Sequence, residues 1–93
     1  MKRPNSLSAI YENGHNGSIL CLDKNPYDKR FLLTLGRDNL IICWPLKTKK
    51  ILNKIKLNRP CTQVIWSRKN KDCFICAGID GTILYGRINL LKI

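Results

Sequence analysis

Only a few residues in this chain are of types that carry out chemistry. His15 is the single histidine, and Asp38 is the acid that stands in a Gly-x-Asp turn downstream of it. A histidine and an aspartate could act as base and orienting group. That chemistry also needs a nucleophile within reach of the base, and no triad-like pattern accompanies His15. The chain also lacks paired acids, a glycine-rich phosphate loop and a cluster of metal-ligand spacing. His15 and Asp38 therefore read as structural hydrogen-bonding residues, and no enzyme, metal or cofactor is expected. Cys73-Phe-Ile-Cys76 has the C-x-x-C spacing of redox and zinc sites. Alternation along a strand sends residues three apart to opposite faces, so the two thiols would not converge. All five cysteines (Cys21, Cys43, Cys61, Cys73 and Cys76) sit in apolar runs, and their number is odd. They read as free core thiols rather than a disulfide framework.

Charge is the dominant feature of the composition: 17 Lys and Arg against 6 Asp and Glu, a net of +11 in 93 residues. Such a surface favours acidic partners, whether nucleic acid, anionic lipid or an acidic protein. A solvated basic rim that only keeps the chain soluble is the plainer alternative. No window approaches eighteen consecutive apolar residues, and the start Met1-Lys-Arg-Pro lacks the apolar core of a secretory leader. An intracellular chain without membrane insertion is expected.

The elements that would position these residues are strands. Short apolar runs at Ser18–Lys24, Phe31–Leu35, Leu40–Trp44, Thr62–Trp66, Cys73–Ala77 and Thr82–Tyr85 are each bounded by turn formers. Ile51–Leu57 alternates over its second half, as a half-exposed outer strand would. Leu7–Tyr11 and Ile88–Leu91 could form two more short strands. Ser18–Lys24 carries apolar residues on both sides, which predicts burial on both faces. In Gly36-Arg37-Asp38-Asn39, Asn39 suits the left-handed conformation that closes a tight turn. No stretch has helical periodicity with caps, so the chain is all-β.

Shifted by 42 residues, the sequence matches itself without gaps. Phe31–Asn39 falls on Cys73–Gly81, Leu22 on Val64, Asn25 on Ser67 and Ile41 on Ile83. Both copies read apolar run, Gly-x-Asp, Asn or Gly, then apolar run. A period near forty that carries four strands is that of a β-propeller blade.

On these residues the chain resembles the WD40 repeat family. Gly14-His15, Thr34, Asp38 and Trp44 stand where that repeat has its Gly-His, its strand Ser or Thr, its turn Asp and its Trp. The resemblance implies a hydrogen-bonded network of His15, Thr34, Asp38 and Trp44 inside a blade, with His15, Thr34 and the Trp44 indole N–H as donors to the Asp38 carboxylate. In the second copy the same positions are Leu57, Cys76, Asp80 and Gly86, so that blade would rest on apolar packing. The implied fold is two four-stranded antiparallel WD40-type blades of an incomplete β-propeller. Residues 1–9 would be a flexible lead-in, 10–57 the first blade and 58–93 a degenerate, partial second one. The ring would be completed by blades of a longer chain or of a partner.

Within the family, Asn25-Pro26-Tyr27, Trp66-Ser67 and Asp80-Gly81-Thr82 are similar to dynein intermediate-chain repeats. That resemblance implies a non-catalytic scaffold for protein–protein assembly in a dynein motor complex. Dynein heavy and light chains would be the partners, in the cytoplasm, on the cytoskeleton or in a cilium. Blade geometry would gather Lys29, Arg30, Arg68, Lys69 and Lys71 of the first-to-second-strand loops with Lys47, Lys49 and Lys50 of a third-to-fourth-strand loop. This basic face is the candidate partner-binding surface. The alternative function is an RNA-associated module using the same face, although the loops lack the interleaved aromatics that base stacking uses.

Overall fold

A computed structural model describes residues 10–11, 13–48 and 50–90. The lead-in 1–9 and Lys49 lie outside the described residues, as does most of the expected Leu7–Tyr11 strand.

Among the described residues, seven antiparallel strands form two sheets. Strands β1 (Ile19–Lys24), β2 (Phe31–Gly36), β3 (Leu40–Pro45) and β4 (Asn53–Lys56) make the first, in that spatial order. Strands β5 (Cys61–Trp66), β6 (Cys73–Gly78) and β7 (Ile83–Arg87) make the second. The second sheet thus has three strands among the described residues, not the four expected. Ile88–Leu90 does not extend along β7 as a fourth strand. Ile88 and Leu90 are both buried in the core, and the Ile88 N–H donates to the Asp72 carbonyl at 2.7 Å, which ties the segment across the sheet end.

The 42-residue repeat is a repeat of local geometry. A β-bulge interrupts the β1–β2 ladder between Ile19 and Cys21, and another interrupts β5–β6 between Cys61 and Gln63, at the same positions of the repeat. The loop after the first strand of each sheet is closed in the same way. The Asn25 side-chain oxygen accepts from the N–H groups of Tyr27 and Asp28, at 2.8 and 3.0 Å. The Ser67 hydroxyl accepts from those of Lys69 and Asn70, at 3.1 and 3.2 Å. These are Asx- and ST-turns, in which a short side chain stands in for a backbone carbonyl. After each Gly-x-Asp the chain turns through positive φ, +63° at Asn39 and +86° at Gly81.

The core lies between the sheets. Phe31, Leu33, Leu35, Ile41 and Cys43 face Val64, Trp66, Phe74 and Cys76 across the seam. At about 25 cal/mol per Å2 of apolar surface removed from water, this seam is what holds the two sheets together. The expectation that the first strand is buried on both faces does not hold. Cys21 and Asp23 turn into the seam, but Ile19, Leu20 and Leu22 are exposed, because no third sheet covers that side among the described residues.

Candidate functional site

The residues singled out for chemistry meet at the entry to the first sheet. The His15 Nε2 lies 2.6 Å from the Thr34 Oγ1, and the Trp44 indole N–H donates to that same oxygen at 2.9 Å. On the other side of the ring, Nδ1 is 3.1 Å from the Asp38 Oδ1. The protons follow from the partners. Thr34 accepts from Trp44, so its own proton goes to His15 Nε2, and Nδ1–H donates to the carboxylate. With the imidazole neutral, the chain Trp44→Thr34→His15→Asp38 places its one ring proton on Nδ1. The His15 side chain is 2% exposed and that of Asp38 11%.

Asp38 differs from expectation in its donors. Thr34 and Trp44 do not touch it; they reach it only through His15. Its remaining donors are backbone, the Asn16 N–H at 2.7 Å and the Leu40 N–H at 3.2 Å. Burial pushes the carboxyl up, but these N–H groups and the His15 ring outweigh it and hold Asp38 below the usual carboxylate value. Gly36 makes room for the arrangement: a Cβ there would stand 2.3 Å from His15 Nδ1 and 2.4 Å from Asp38 Oδ1. Tyr11 closes the site from outside, its ring edge-on to Trp44 and its hydroxyl donating to the Leu46 carbonyl. All polar side-chain atoms of this group bond to one another or to backbone.

The second sheet reaches a similar shape by different means. Asp80 takes a hydrogen bond from the Thr82 hydroxyl at 2.6 Å and from the Thr82 N–H at 3.2 Å. The Arg59 guanidinium donates to its other oxygen at 2.7 Å. Thr82 and Arg59 hold this carboxyl at about 2. The aspartate serves its own turn, in keeping with the absence of a histidine at Leu57. Arg59 was not singled out in the sequence; a cation two residues after the missing histidine was its only sign. Where the first sheet pairs Leu32 with Trp44, the second pairs Phe74 with Gly86, and the Phe74 ring lies over the glycine. Bulk has moved from one strand to its neighbour.

Asp23 was also missed. Its carboxylate accepts from the Trp66 N–H, and its carbonyl accepts from the Trp66 indole. Trp66 is wholly buried. Cys73 and Cys76 fall on opposite faces of β6, and all five cysteines are free.

The basic residues divide. Lys29 and Arg30 follow β1, Arg68, Lys69 and Lys71 follow β5, and Lys47 and Lys50 lie between β3 and β4; all are exposed. Two hydrogen bonds bring these loops to one end of the molecule. The Asn25 amide donates to the Lys71 carbonyl, and the Leu46 N–H to the Arg30 carbonyl, both at 2.7 Å. Arg30 is engaged internally, however: it grips Asp28 with Nε and Nη2 and lies over the Phe31 ring. Asp72, beside Lys71, stands 3.7 Å from Arg87. The loops are therefore less uniformly basic than the sequence suggests. They also carry an aromatic, since Tyr27 is 51% exposed two residues before Lys29.

No family model matches the chain. The protein transport protein Sec31A of Danio rerio is 31% identical over 75 residues, 80% of this chain and 6% of that protein. SEC31 of Mycosarcoma maydis is 34% identical over 71 residues, 75% of this chain and 5% of that protein. The GATOR2 complex protein WDR24 of Xenopus laevis is 32% identical over 50 residues, 54% of this chain and 6% of that protein. The chain thus spans only about one-twentieth of the length of these relatives. They are protein-transport and GATOR2 proteins, not dynein intermediate chains. The residues behind the dynein comparison serve the blade itself: Asn25 and Ser67 cap loops, Trp66 anchors the seam, and Asp80 and Thr82 close a turn. Among solved structures, the β-propeller domain of Myceliophteria thermophila Cps50 (Swd1) superposes with a TM-score of 0.73 at 21% identity, covering 83% of this chain and 24% of that one. A chain of the Mitotic Checkpoint Complex does so at 0.74 and 21%, covering 84% of this chain and 25% of that one. The chain carries two consecutive blades of the β-propeller fold.

Proposed function

We propose that this chain is a non-catalytic WD40 scaffold segment for protein–protein assembly, and that the assembly is one of protein transport. The observation that carries the scaffold reading is the internal engagement of His15, Thr34, Asp38 and Trp44, which leaves loops and sheet faces as the functional surface. The identity of 31–34% with Sec31 proteins over three quarters or more of the chain supports the transport part. The module works in the cytoplasm, where its free thiols stay reduced. Lys47, Lys50, Lys69 and Lys71 form the face toward an acidic partner surface. The test is purification of the tagged chain from cells under mild salt, with and without nuclease, alongside a charge-reversed variant at those four lysines. Retention of protein-transport components, lost on charge reversal and unaffected by nuclease, is expected. Co-purification of dynein heavy and light chains instead would move the module to the motor complex.

A second reading, an RNA-associated module, is favoured by exposed Tyr27 beside Lys29, which pairs a stacking surface with a cation. It predicts bound material that nuclease removes and that Tyr27→Ala weakens.

A further inference from the structure

Three glycines of this chain follow an asparagine or an aspartate, in Asn13-Gly14, Asn16-Gly17 and Asp80-Gly81. Such pairs are chemically reactive. With no Cβ to hinder it, the glycine nitrogen can swing back onto the preceding side-chain carbonyl and close a five-membered succinimide. An asparagine amide is the better electrophile, because an ionised carboxylate must first take a proton.

The structure separates the three. The Asp80 carboxylate is held by Thr82 and Arg59, and the Gly81 N–H donates to the Gly78 carbonyl at 3.3 Å. Gly14 is pressed against the indole of Trp44: a Cβ there would stand 2.4 Å from the ring, so this backbone cannot turn without lifting off it. Asn16 and Gly17 are both exposed in the loop before β1. At Gly17 the nearest atom to an added Cβ would be the Arg37 Cβ at 3.9 Å, and φ is +134°, which costs glycine little. Only this pair has both a reactive amide and room to move.

The pair also sits between two anchors. The Asn16 N–H donates to the Asp38 Oδ2 at 2.7 Å, and the Ser18 carbonyl accepts from the Arg37 N–H at 2.8 Å. Residues 16–18 thus clasp two adjacent residues of the turn that carries Asp38, with Gly17 as the link. We propose that Asn16 is a site of spontaneous deamidation, that its main product is isoaspartate, and that this product opens the clasp at Asp38. The Gly17 nitrogen bonds to the Asn16 Cγ, the Cγ–Nδ2 bond breaks, and ammonia leaves with the glycine proton. Water then opens the succinimide at either carbonyl. Attack at Cγ gives ordinary aspartate. Attack at the main-chain carbonyl, made more electrophilic by the adjacent amide nitrogen, leaves the chain running through Cβ and Cγ, one methylene longer. That methylene falls between the two anchors. The Ser18–Arg37 bond adjoins the β1–β2 ladder and is kept, so Asp38 loses the Asn16 N–H, its shortest donor. The inference goes beyond the scaffold reading and needs only this loop.

Peptide mass spectrometry of the 93-residue chain, incubated at neutral pH both in buffer and in guanidinium chloride, tests this. In denaturant Asn13 and Asn16 should gain the mass of an amide-to-acid change at similar rates. In buffer Asn16 should convert at close to its denatured rate, and Asn13 about tenfold or more slowly, because it reacts only when Gly14 lifts from Trp44. The product carries one positive charge fewer than the +11 parent and is separable by cation exchange. Its isoaspartyl form should exchange the residue-16 amide proton about tenfold faster than the parent. Asn16→Asp, which adds the charge without lengthening the chain, should not; if that variant loses its β circular dichroism, the parent alone is the reference. Conversion of Asn16 only in denaturant, or in buffer no faster than that of Asn13, overturns the proposal. So does a product that is mainly ordinary aspartate, or an isoaspartyl form whose residue-16 amide stays as protected as in the parent.

Discussion

Asp23 and Trp66 are bonded twice across the seam between the blades. The carboxylate accepts from the Trp66 backbone N–H at 2.8 Å, and the Asp23 carbonyl accepts from the indole N–H at 2.9 Å. One residue of the first blade thereby fixes both the backbone and the side chain of one residue of the second.

Asp23→Ala should leave the Trp66 amide without its acceptor in a largely dry seam and cost about 1–3 kcal/mol. Trp66→Phe removes only the indole donor and part of the ring, and should cost less than Trp66→Ala, for which about 3–5 kcal/mol is expected. Urea titrations of the three variants give the order, and amide exchange at Trp66 should rise sharply in Asp23→Ala alone.

The hydrogen-bonded chain in the first blade predicts a contrast at Thr34. Thr34→Val keeps the shape but strands the Trp44 N–H and His15 Nε2, at a cost of about 1–3 kcal/mol, whereas Thr34→Ser should come close to the parent. Gly36→Ala puts a methyl group into the His15–Asp38 pair and should cost about as much as an overpacked core position, roughly 1–3 kcal/mol. Nitrogen NMR of the His15 ring at neutral pH should show the proton on Nδ1.

Both turn carboxylates are depressed below the ordinary 3.8, Asp38 by its N–H and imidazole donors and Asp80, to about 2, by Thr82 and Arg59. A depressed acid stabilises the fold above its unfolded value, and that contribution fades as the pH falls through the folded one. Thermal midpoints should therefore decline as the pH drops from 3.8 toward about 2. Asp80→Asn should flatten the lower end of that decline, although Asp80 is exposed and screened, so its share is small.

Burial raises the Cys43 and Cys76 thiols to about 12. Near pH 8 only about one in ten thousand would be thiolate. An alkylating reagent should leave both unmodified in the folded chain and modify them once urea is added. Cys21, the one partly exposed thiol, should react first. Mass spectrometry of peptides resolves the order.

Much of this architecture is legible in the residues. The 42-residue echo carries the strands and turns with it, down to the paired Asn25 and Ser67 caps, because each is decided by neighbours a few positions away. What was not legible depends on neighbours far along the chain. Exposure of Leu20 and Leu22 depends on what lies beyond β1, so an apolar strand does not reveal it. The Asp23–Trp66 clamp joins residues 43 apart through the blade crossing, and no local pattern marks it. Thr82 and Arg59 replace the missing histidine by reaching the same carboxylate from other directions, and spacing alone does not disclose such a substitution. Tyr27 reads in the sequence only as part of the Asn25-Pro26-Tyr27 turn, and its exposure beside Lys29 depends on how that loop leaves the sheet.

The exchange of bulk between Leu32–Trp44 and Phe74–Gly86 bears on how freely each blade can drift. In the first blade four side chains form a serial chain of donors and acceptors, so a lost link has no substitute elsewhere, and those positions accept only changes that keep the bond, as Thr34→Ser does. The second blade meets its requirements with shape and with a carboxylate held from two independent sides, so losses at one position have remedies at the next. Over many generations the second blade can wander through sequence space while the first keeps its residues, and the pair stays a pair although the halves cease to look alike.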